Sequence, residues 1–397
     1  GQGQGQGQGR GGGAAAGEEP RCGEWAGAGE CERNPAFMQS SCRAACARRA
    51  ARSAVLGPAS KACDLYLFGH GLDFKGALRD LARLSGAQPM LPRYALGAWY
   101  SRWWPMTDWE STRLLQDHDD YGVPLDVLVT DMDWHHTCYR ATYGGAHEKH
   151  MDASDNWPCW SGFSWDRKYF PQPEAFLAEA KARGVHSGLN LHFQSGLVRG
   201  EDSFEDFAAA LQLPPTAAFA RFEPLNQTYS RAFHRTTLAP LERQGVDFWW
   251  LDWQQGEHLF APSEMPEVNP TWWLNYVYAT QPDGRASTPQ PPAATPQPPV
   301  TAAAAGTRAR RRLIMHRYGG LGNQRYPIGF SGDVMSSWAS LAFQPHFTSS
   351  AANVNFGYWS HDIGGFYEPV AGELYTRWVQ LGALSPIFRA HGFRGPD

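Results

Sequence analysis

Eight segments of apolar or mixed character, separated by stretches of helical pattern, recur along this chain of 397 residues. This alternation is typical of parallel β-strands joined by crossover helices, and eight is the number of strands that closes a barrel. We therefore predict an α/β fold, a (β/α)8 TIM barrel. The candidate strands lie within residues 94–101, 125–135, 186–193, 247–255, 312–320, 327–333, 355–365 and 386–392.

Nearly every candidate strand ends in polar or charged residues. In enzymes with this fold, the active site lies at the carboxyl ends of the strands. The segment DFWWLDWQQ (247–255) shows the pattern most clearly, because Asp252 follows an apolar run that would pack as the strand. We expect these acids at the rim: Asp131, Asp133, Asp252, Asp333 and Asp362.

The rim acids admit two interpretations. Two carboxylates that face one pocket are what cleavage of a glycosidic bond requires, since one supports positive charge at the anomeric carbon and the other protonates the leaving oxygen. A single buried acid could equally be structural, hydrogen-bonded to the backbone or paired with Arg102, Arg317 or Arg389. For the set as a whole, we favour a functional site.

The composition narrows the class of partner. A formal net charge of -4 argues against a nucleic-acid-binding protein, which usually has a basic face. No apolar run approaches the roughly 20 residues needed to span a bilayer. The 17 Trp and 15 Tyr residues suit a carbohydrate partner, because flat amphipathic rings pack against the C–H faces of sugars. For most of these residues, a large aromatic core is the better explanation.

The N-terminal part has a different character. Residues 1–20 are a low-complexity linker, and residues 21–50 are rich in cysteine. The order C…WA…GEC…NP.FM…SC…C in the second segment resembles the ShK-toxin-like (ShKT) module, a small domain stapled by disulfides. The chain begins with Gly1 and has no signal peptide, so we interpret its N-terminus as incomplete or processed.

The resemblance to the ShK-toxin-like module implies the disulfides Cys22–Cys42 and Cys31–Cys46, because that family pairs its second cysteine with its fourth and its third with its fifth. Arg49 stands at the sixth position, and the first position has no cysteine, so both members of one bridge are absent together. This favours a disulfide module in an oxidising compartment, either secreted or in the endomembrane lumen. The alternative is a thiol-rich segment without bridges.

Three further features lie outside the strand pattern. Residues 62–92 precede the barrel proper (93–397) and predict a short strand followed by a helix. Residues 282–311 are rich in Pro and Ala, and we expect a disordered insertion on the face of the barrel away from the chemistry. Cys138 and Cys159 could form a disulfide or remain free thiols.

Four motifs occur in the order WLDWQQ, HRYGGLGNQRYPIGFSGD, YWSHDIGGF and ELYTRWVQLGALSPIFRAH. Together they resemble glycoside hydrolase family 31, over roughly residues 62–392. The resemblance implies a barrel enzyme that cleaves α-glycosides with retention of configuration and uses no cofactor. That family normally carries β-domains before and after its barrel. We therefore expect this sequence to be a fragment, with a barrel that stops before its eighth helix.

The resemblance also assigns roles to individual residues. The Asp of the W-x-D motif matches Asp252, the nucleophile, and the Asp that closes the W-x-G-D motif matches Asp333, the general acid/base. Phe330 stands where that second motif has Trp, and residues 253–255 depart from the usual sequence after the nucleophile. By this match, sugar-binding roles fall on Asp131, Arg317 and His391, and aromatic wall positions on Trp103, Trp250 and Phe366. We expect Asp362 and Phe330 to contact the sugar as well.

The function expected from these motifs is hydrolysis of α-linked glucosides by double displacement. Such a mechanism predicts carboxylates about 5–5.5 Å apart. Three alternatives remain open: an α-xylosidase or α-galactosidase of the same family, a transglycosylase, or an inactive barrel that only binds carbohydrate. We expect no metal, because HEKH (147–150) lacks the HExxH spacing.

Overall fold

The computed structural model describes residues 21–22, 31, 37–38, 41–43, 45–46, 65–136, 161–193, 196–252, 270–281, 312–317 and 320–393. The chain divides into two compact units, one formed by residues 1–66 and 261–269 and the other by residues 67–260 and 270–397. The predictions for the linker 1–20, the insertion 282–311 and the two cysteines Cys138 and Cys159 lie outside the described residues.

The smaller unit is held together by two disulfides. They join Cys22 to Cys42 and Cys31 to Cys46, with Cα atoms 5.1 and 5.7 Å apart. Met38 is buried beside them, and backbone hydrogen bonds of helical spacing link Met38, Cys42 and Cys46 in sequence. A short segment of this kind has little apolar surface to bury, so covalent bridges supply much of its order. The predicted disulfide-rich module is confirmed.

The larger unit is built around one parallel sheet of eight strands. The strands of this unit are β1 Ala98–Arg102, β2 Val127–Thr130, β3 His186–Leu191, β4 Leu197–Val198, β5 Phe219–Ala220, β6 Phe248–Leu251, β7 Ile314–His316, β8 Gly329–Phe330, β9 Trp359–Ser360 and β10 Phe388–Ala390. Eight of them form the sheet in the order β10-β1-β2-β3-β6-β7-β8-β9, and a parallel bridge between Ser360 and Ile387 joins the last strand to the first. The (β/α)8 barrel prediction is therefore confirmed, and each candidate segment coincides with one barrel strand, although β1 extends one residue past its segment. The remaining pair, β4 and β5, forms a small antiparallel ladder after β3.

Helices follow most of the barrel strands, and among the described residues none is long and apolar enough to cross a membrane. They are α1 Phe74–Ser85, α2 Asp108–Asp120, α3 Pro173–Ala182, α4 Phe204–Leu211, α5 Gln227–Phe233, α6 Ala239–Gln244, α7 Pro270–Thr280, α8 Trp338–Ala352 and α9 Gly372–Ala383. A π-helical turn, His234–Leu238, joins α5 to α6.

Two details of the predicted order are wrong. We expected a helix between every pair of strands, but the described residues between β7 and β8 contain only the short 3-10 helix Asn323–Arg325. Residues 317–328 are too few for an α-helix and for the loops that would return the chain along the barrel. The expected strand before α1 is also absent from residues 65–70, whose apolar side chains are largely exposed rather than packed in a core.

Alternation of side chains along the strands separates the interior of the barrel from its helical layer. On β6, Phe248 and Trp250 belong to the interior cluster, whereas Trp249 and Leu251 pack in the cluster beneath the helices. Side chains along a strand alternate between its two faces. When both faces are buried, the sequence of the strand is therefore one continuous apolar run. This explains the sequence FWWL, all of which is buried.

The same alternation positions the candidate site. Val127 and Val129 of β2 lie in the interior cluster, and so does Met315 of β7. A residue two positions beyond such a side chain faces the same way. Asp131 and Arg317 are therefore directed into the mouth of the barrel, as is Asp252, which lies two positions beyond Trp250 on β6.

Candidate active site

Polar side chains from six strands converge at the carboxyl-terminal mouth of the barrel. Each lies near the carboxyl end of its strand or on the loop that follows it, which is why they meet at one place. Most are buried, so their contacts with one another replace contacts with water. They are Asp131, Asn190, Asp252, Arg317, Asp333 and His391.

Arg317 joins the two acids for which sequence predicted catalytic roles. Its Nε donates a hydrogen bond to Asp252, and one of its terminal nitrogens donates to Asp333 at 2.9 Å. The guanidinium also lies over the ring of Phe330, 5.1 Å from the ring centre. Burial lowers the pKa of Arg317, but the charges of Asp252 and Asp333 outweigh it, and the pKa is raised. Arg317 therefore remains a cation that fixes both carboxylates in one arrangement.

Asp252 is held from two sides. Its backbone N–H donates to Leu191 O at 3.0 Å, which fixes the main chain where β6 ends. One carboxylate oxygen accepts from Arg317, and the other accepts from Asn190 Nδ2 at 2.9 Å. His192 Nε2 lies 3.9 Å from this second oxygen. The side chain is thus oriented by donors on both oxygens.

Asp333 is the more accessible of the two acids. Its side chain is 16% exposed, against 7% for Asp252. Burial raises the pKa of Asp333, Arg317 opposes this rise, and the negative charge of Asp252 adds to it. A carboxyl group whose pKa is raised retains its proton to higher pH, which suits a proton donor.

Asp131 and His391 form a second polar pair. The closest approach is 3.7 Å, between His391 Nε2 and Asp131 Oδ2, and the other ring nitrogen of His391 lies 2.8 Å from Ser101 Oγ. Burial, followed by the charge of Asp252, raises the pKa of Asp131 well above its usual value. Burial and the nearby Arg389 lower the pKa of His391 well below its usual value. Both groups therefore favour neutral forms that can donate and accept hydrogen bonds with hydroxyls.

Aromatic rings form one wall beside these groups. Trp103 stacks on Phe366 with ring centres 5.9 Å apart, and Phe366 stacks on His391 at 5.3 Å. Trp250 presents its edge to His391 at 5.2 Å and to Phe330 at 5.4 Å. The four aromatic residues predicted from sequence therefore line the same region as the acids.

Asp362 has a different setting from the one that sequence suggested. Its side chain is fully buried and pairs with Arg389, which is itself fully buried between the rings of Trp250 and Phe330. Burial raises the pKa of Asp362 to about 7, and Arg389 opposes the rise. Arg389 also donates to Ser101 Oγ at 3.0 Å. Direct contact of Asp362 with a substrate stays a prediction, and this burial argues against it.

Two residues of the site, Asn190 and His192, were missed by sequence reasoning. They lie in the segment HSGLNLHF, whose apolar residues Leu189 and Leu191 pack in the outer cluster. The polar residues alternate with them and face the interior. Polar residues at the inward positions of a barrel strand were the signal that could have found them. No cluster of metal-binding side chains occurs in the part of the chain that the structure describes.

Two family models match the sequence. The model described as "Glycosyl hydrolases family 31 TIM-barrel domain" matches residues 88–396, and the one described as "ShK domain-like" matches residues 18–48. An α-xylosidase of Saccharolobus solfataricus is 26% identical over 84% of this chain and 42% of its own length. An α-xylosidase of Emericella nidulans is 37% identical over 83% of this chain and 40% of its own length. Human neutral alpha-glucosidase AB is 24% identical over 81% of this chain and 33% of its own length.

Solved structures show the same fold. An α-xylosidase from Xanthomonas citri superimposes with a TM-score of 0.58 at 19% identity, over 81% of this chain and 35% of its own. The glucosidase II alpha subunit superimposes with a TM-score of 0.60 at 17% identity, over 81% of this chain and 33% of its own. The matched region thus covers less than half of each of these proteins.

Proposed function

The chain belongs to glycoside hydrolase family 31, and on that premise we propose that it cleaves α-linked glycosides with retention of configuration. The observation that carries the proposal is the contact of Arg317 with both Asp252 and Asp333. One guanidinium holds the two acids at the mouth of the barrel, where both could reach one glycosidic bond. A retaining enzyme needs such a pair, one acid as nucleophile and the other as proton donor.

The first step of the proposed reaction forms a covalent intermediate. A carboxylate oxygen of Asp252 attacks the anomeric carbon, and the bond from that carbon to the glycosidic oxygen breaks. Asp333 gives its proton to that oxygen, so the leaving group departs as a neutral alcohol. Arg317 and Asn190 keep Asp252 in its orientation while its negative charge is consumed.

The second step releases the sugar. Asp333, now a carboxylate, takes a proton from a water molecule whose oxygen attacks the anomeric carbon. The ester bond to Asp252 breaks and its carboxylate is restored. Two inversions at one carbon give net retention. If a sugar hydroxyl replaces the water, the same step transfers the glycosyl group to an acceptor.

We propose an α-glucoside or an α-xyloside as the substrate. Asp131, His391 and Arg317 supply hydrogen-bonding groups for sugar hydroxyls, and Trp103 and Phe366 supply an apolar wall. α-Glucosidases and α-xylosidases both occur among the relatives, and the relative with 37% identity is an α-xylosidase. The two sugars differ only in the hydroxymethyl group at C5, so one site could be tuned to either.

The cellular location proposed from the disulfides is the secretory pathway or the outside of the cell. Cys22–Cys42 and Cys31–Cys46 are both formed, and such bridges persist in oxidising compartments. The proposed partner is carbohydrate in either place.

The test of this function measures both activity and stereochemistry. The chain is incubated with 4-nitrophenyl α-glucoside or α-xyloside, and the first sugar formed is followed by proton NMR before mutarotation. We expect the α-anomer, and a first-formed β-anomer would contradict a retaining mechanism. Asp252→Asn should abolish turnover, whereas Asp120→Asn, at the end of α2, serves as the matched control. Binding of sugar without turnover would instead support the inactive, carbohydrate-binding barrel.

A further inference from the structure

Two apolar side chains lie exposed on the loops next to the catalytic pair. Met335, on the loop after β8, is 47% exposed, and Tyr367, on the loop after β9, is 42% exposed. Their backbones form a parallel bridge, so the two residues are neighbours. Exposed apolar groups at the edge of a site are frequently part of a ligand surface.

The two loops are fixed to each other. Ser336 N donates to Tyr367 O at 2.9 Å, and Phe366 N donates to Val334 O at 2.7 Å. Ser336 Oγ also donates to the carbonyl of Glu368 at 2.9 Å. These bonds hold Met335 and Tyr367 in place before any ligand arrives.

Gly365 allows this close approach. Its φ is 82°, and a Cβ at this position would lie 2.5 Å from the Cα of Ser336. Only glycine combines this backbone conformation with so near a neighbour. The two loops therefore form one preorganised surface.

The surface lies on the side of the proton donor. Met335 follows Asp333 by two residues, and burial and then the negative charge of Asp333 raise the pKa of the Tyr367 hydroxyl. Phe366, part of the aromatic wall, presents its ring to Tyr367 at 4.7 Å. A general acid must reach the oxygen of the leaving group, so the space beyond Asp333 is where the leaving group lies.

We propose that Met335 and Tyr367 form a platform for the sugar ring of the leaving group, and for the acceptor sugar when transfer occurs. The inference rests on the proposed function and specifies its substrates as oligosaccharides with a sugar on the reducing side. The C–H face of the sugar covers the exposed side chains, while its hydroxyls remain in water. A substrate without a leaving sugar gains nothing from the platform.

The experiment compares two substrates that share one glycosyl group. The first is an α-linked disaccharide of the sugar that the chain hydrolyses, and the second is the corresponding α-glycosyl fluoride, whose leaving group is fluoride ion. For Tyr367→Ala and Met335→Ala, we expect the ratio of kcat/KM for the disaccharide to kcat/KM for the fluoride to fall roughly 3- to 10-fold, which is the range of a single aromatic contact. Tyr367→Phe keeps the ring and should keep the ratio.

Tyr121→Ala is the matched control, because Tyr121 is 82% exposed at the distant end of α2. It should leave the ratio unchanged. Circular dichroism of each variant separates a lost contact from misfolding. An unchanged ratio in both Tyr367→Ala and Met335→Ala would overturn the platform while leaving the proposed function intact. A wild-type chain that acts on neither substrate would contradict the proposed function, and the platform would be refuted with it.

Discussion

Gly188 offers a strict test of how the barrel interior is packed. It lies on β3 opposite Phe248 of β6, in the same two strands that carry Asn190 and Asp252. A Cβ at Gly188 would lie 2.5, 2.7 and 2.9 Å from three ring atoms of Phe248. The ring is confined, because Phe248 is fully buried in the interior cluster and packs against Trp99 at 5.2 Å.

Two opposing effects determine how much Gly188→Ala changes the free energy of unfolding. The clash with Phe248 overpacks a closed core, which costs about 1–3 kcal/mol. The loss of backbone freedom in the unfolded chain stabilises the folded state by about 0.4–1 kcal/mol. We therefore expect the free energy of unfolding to fall by about 1–2 kcal/mol. The catalytic rate should also fall, because a displaced β3 moves Asn190 away from Asp252.

The assay is urea denaturation followed by tryptophan fluorescence. Phe248→Leu removes part of the ring, so combining it with Gly188→Ala should cost less than the sum of the two single changes. Gly372→Ala, at the first turn of α9 with no atom near its absent Cβ, is the control and should be neutral or slightly stabilising. Wild-type stability in Gly188→Ala, together with strict additivity in the double variant, would refute this packing.

Three further predictions concern the site and the small module. Asn190→Ala removes a hydrogen bond to a charged group and should lower kcat about 10- to 100-fold, and a change below twofold would show that Asn190 does not orient Asp252. Asp333 must be protonated to act and its pKa is raised, so kcat/KM should fall with rising pH only above the usual range of carboxyl groups; a fall centred near pH 4 contradicts this role. Joint replacement of Cys22 and Cys42 by Ser should destabilise the module by about 2–4 kcal/mol and speed its proteolysis, whereas an unchanged cleavage rate would count against a structural bridge.

The sequence was most informative about the strands. Apolar or mixed runs with polar ends located all eight barrel strands, although each strand is shorter than its segment. The polar residues at a segment's end, such as Asp252, lie past the last residue of the strand's register, although Asp252 N still donates to Leu191 O. The helix expected between β7 and β8 is absent from the described residues because this connection is too short to hold an α-helix and the loops on either side of it.

The site was partly predictable for the same reason. Asp131, Asp252 and Arg317 lie two positions beyond inward apolar residues, so their convergence follows from strand geometry. Asn190 could have been found from the alternation along β3, because Leu189 and Leu191 on either side of it pack toward the helices. Arg389 was among the possible partners of a rim acid, but its pairing with Asp362 could not be singled out, because it depends on which interior side chains fill the same level of the barrel. The identity of the sugar depends on the pocket's shape at atomic scale, which periodicity does not encode.

The central claim is that Asp252 is the nucleophile of a formed α-glycosidase site. The most direct measurement treats the chain with cyclitol epoxides of α-glucose and α-xylose configuration, which trap a catalytic carboxylate as a stable ester. Labelled peptides are then mapped by mass spectrometry in the wild type and in Asp252→Ala. We predict a label on Asp252 in the wild type and no label at this position in Asp252→Ala. A label on another carboxylate, or labelling that survives in Asp252→Ala, would contradict it.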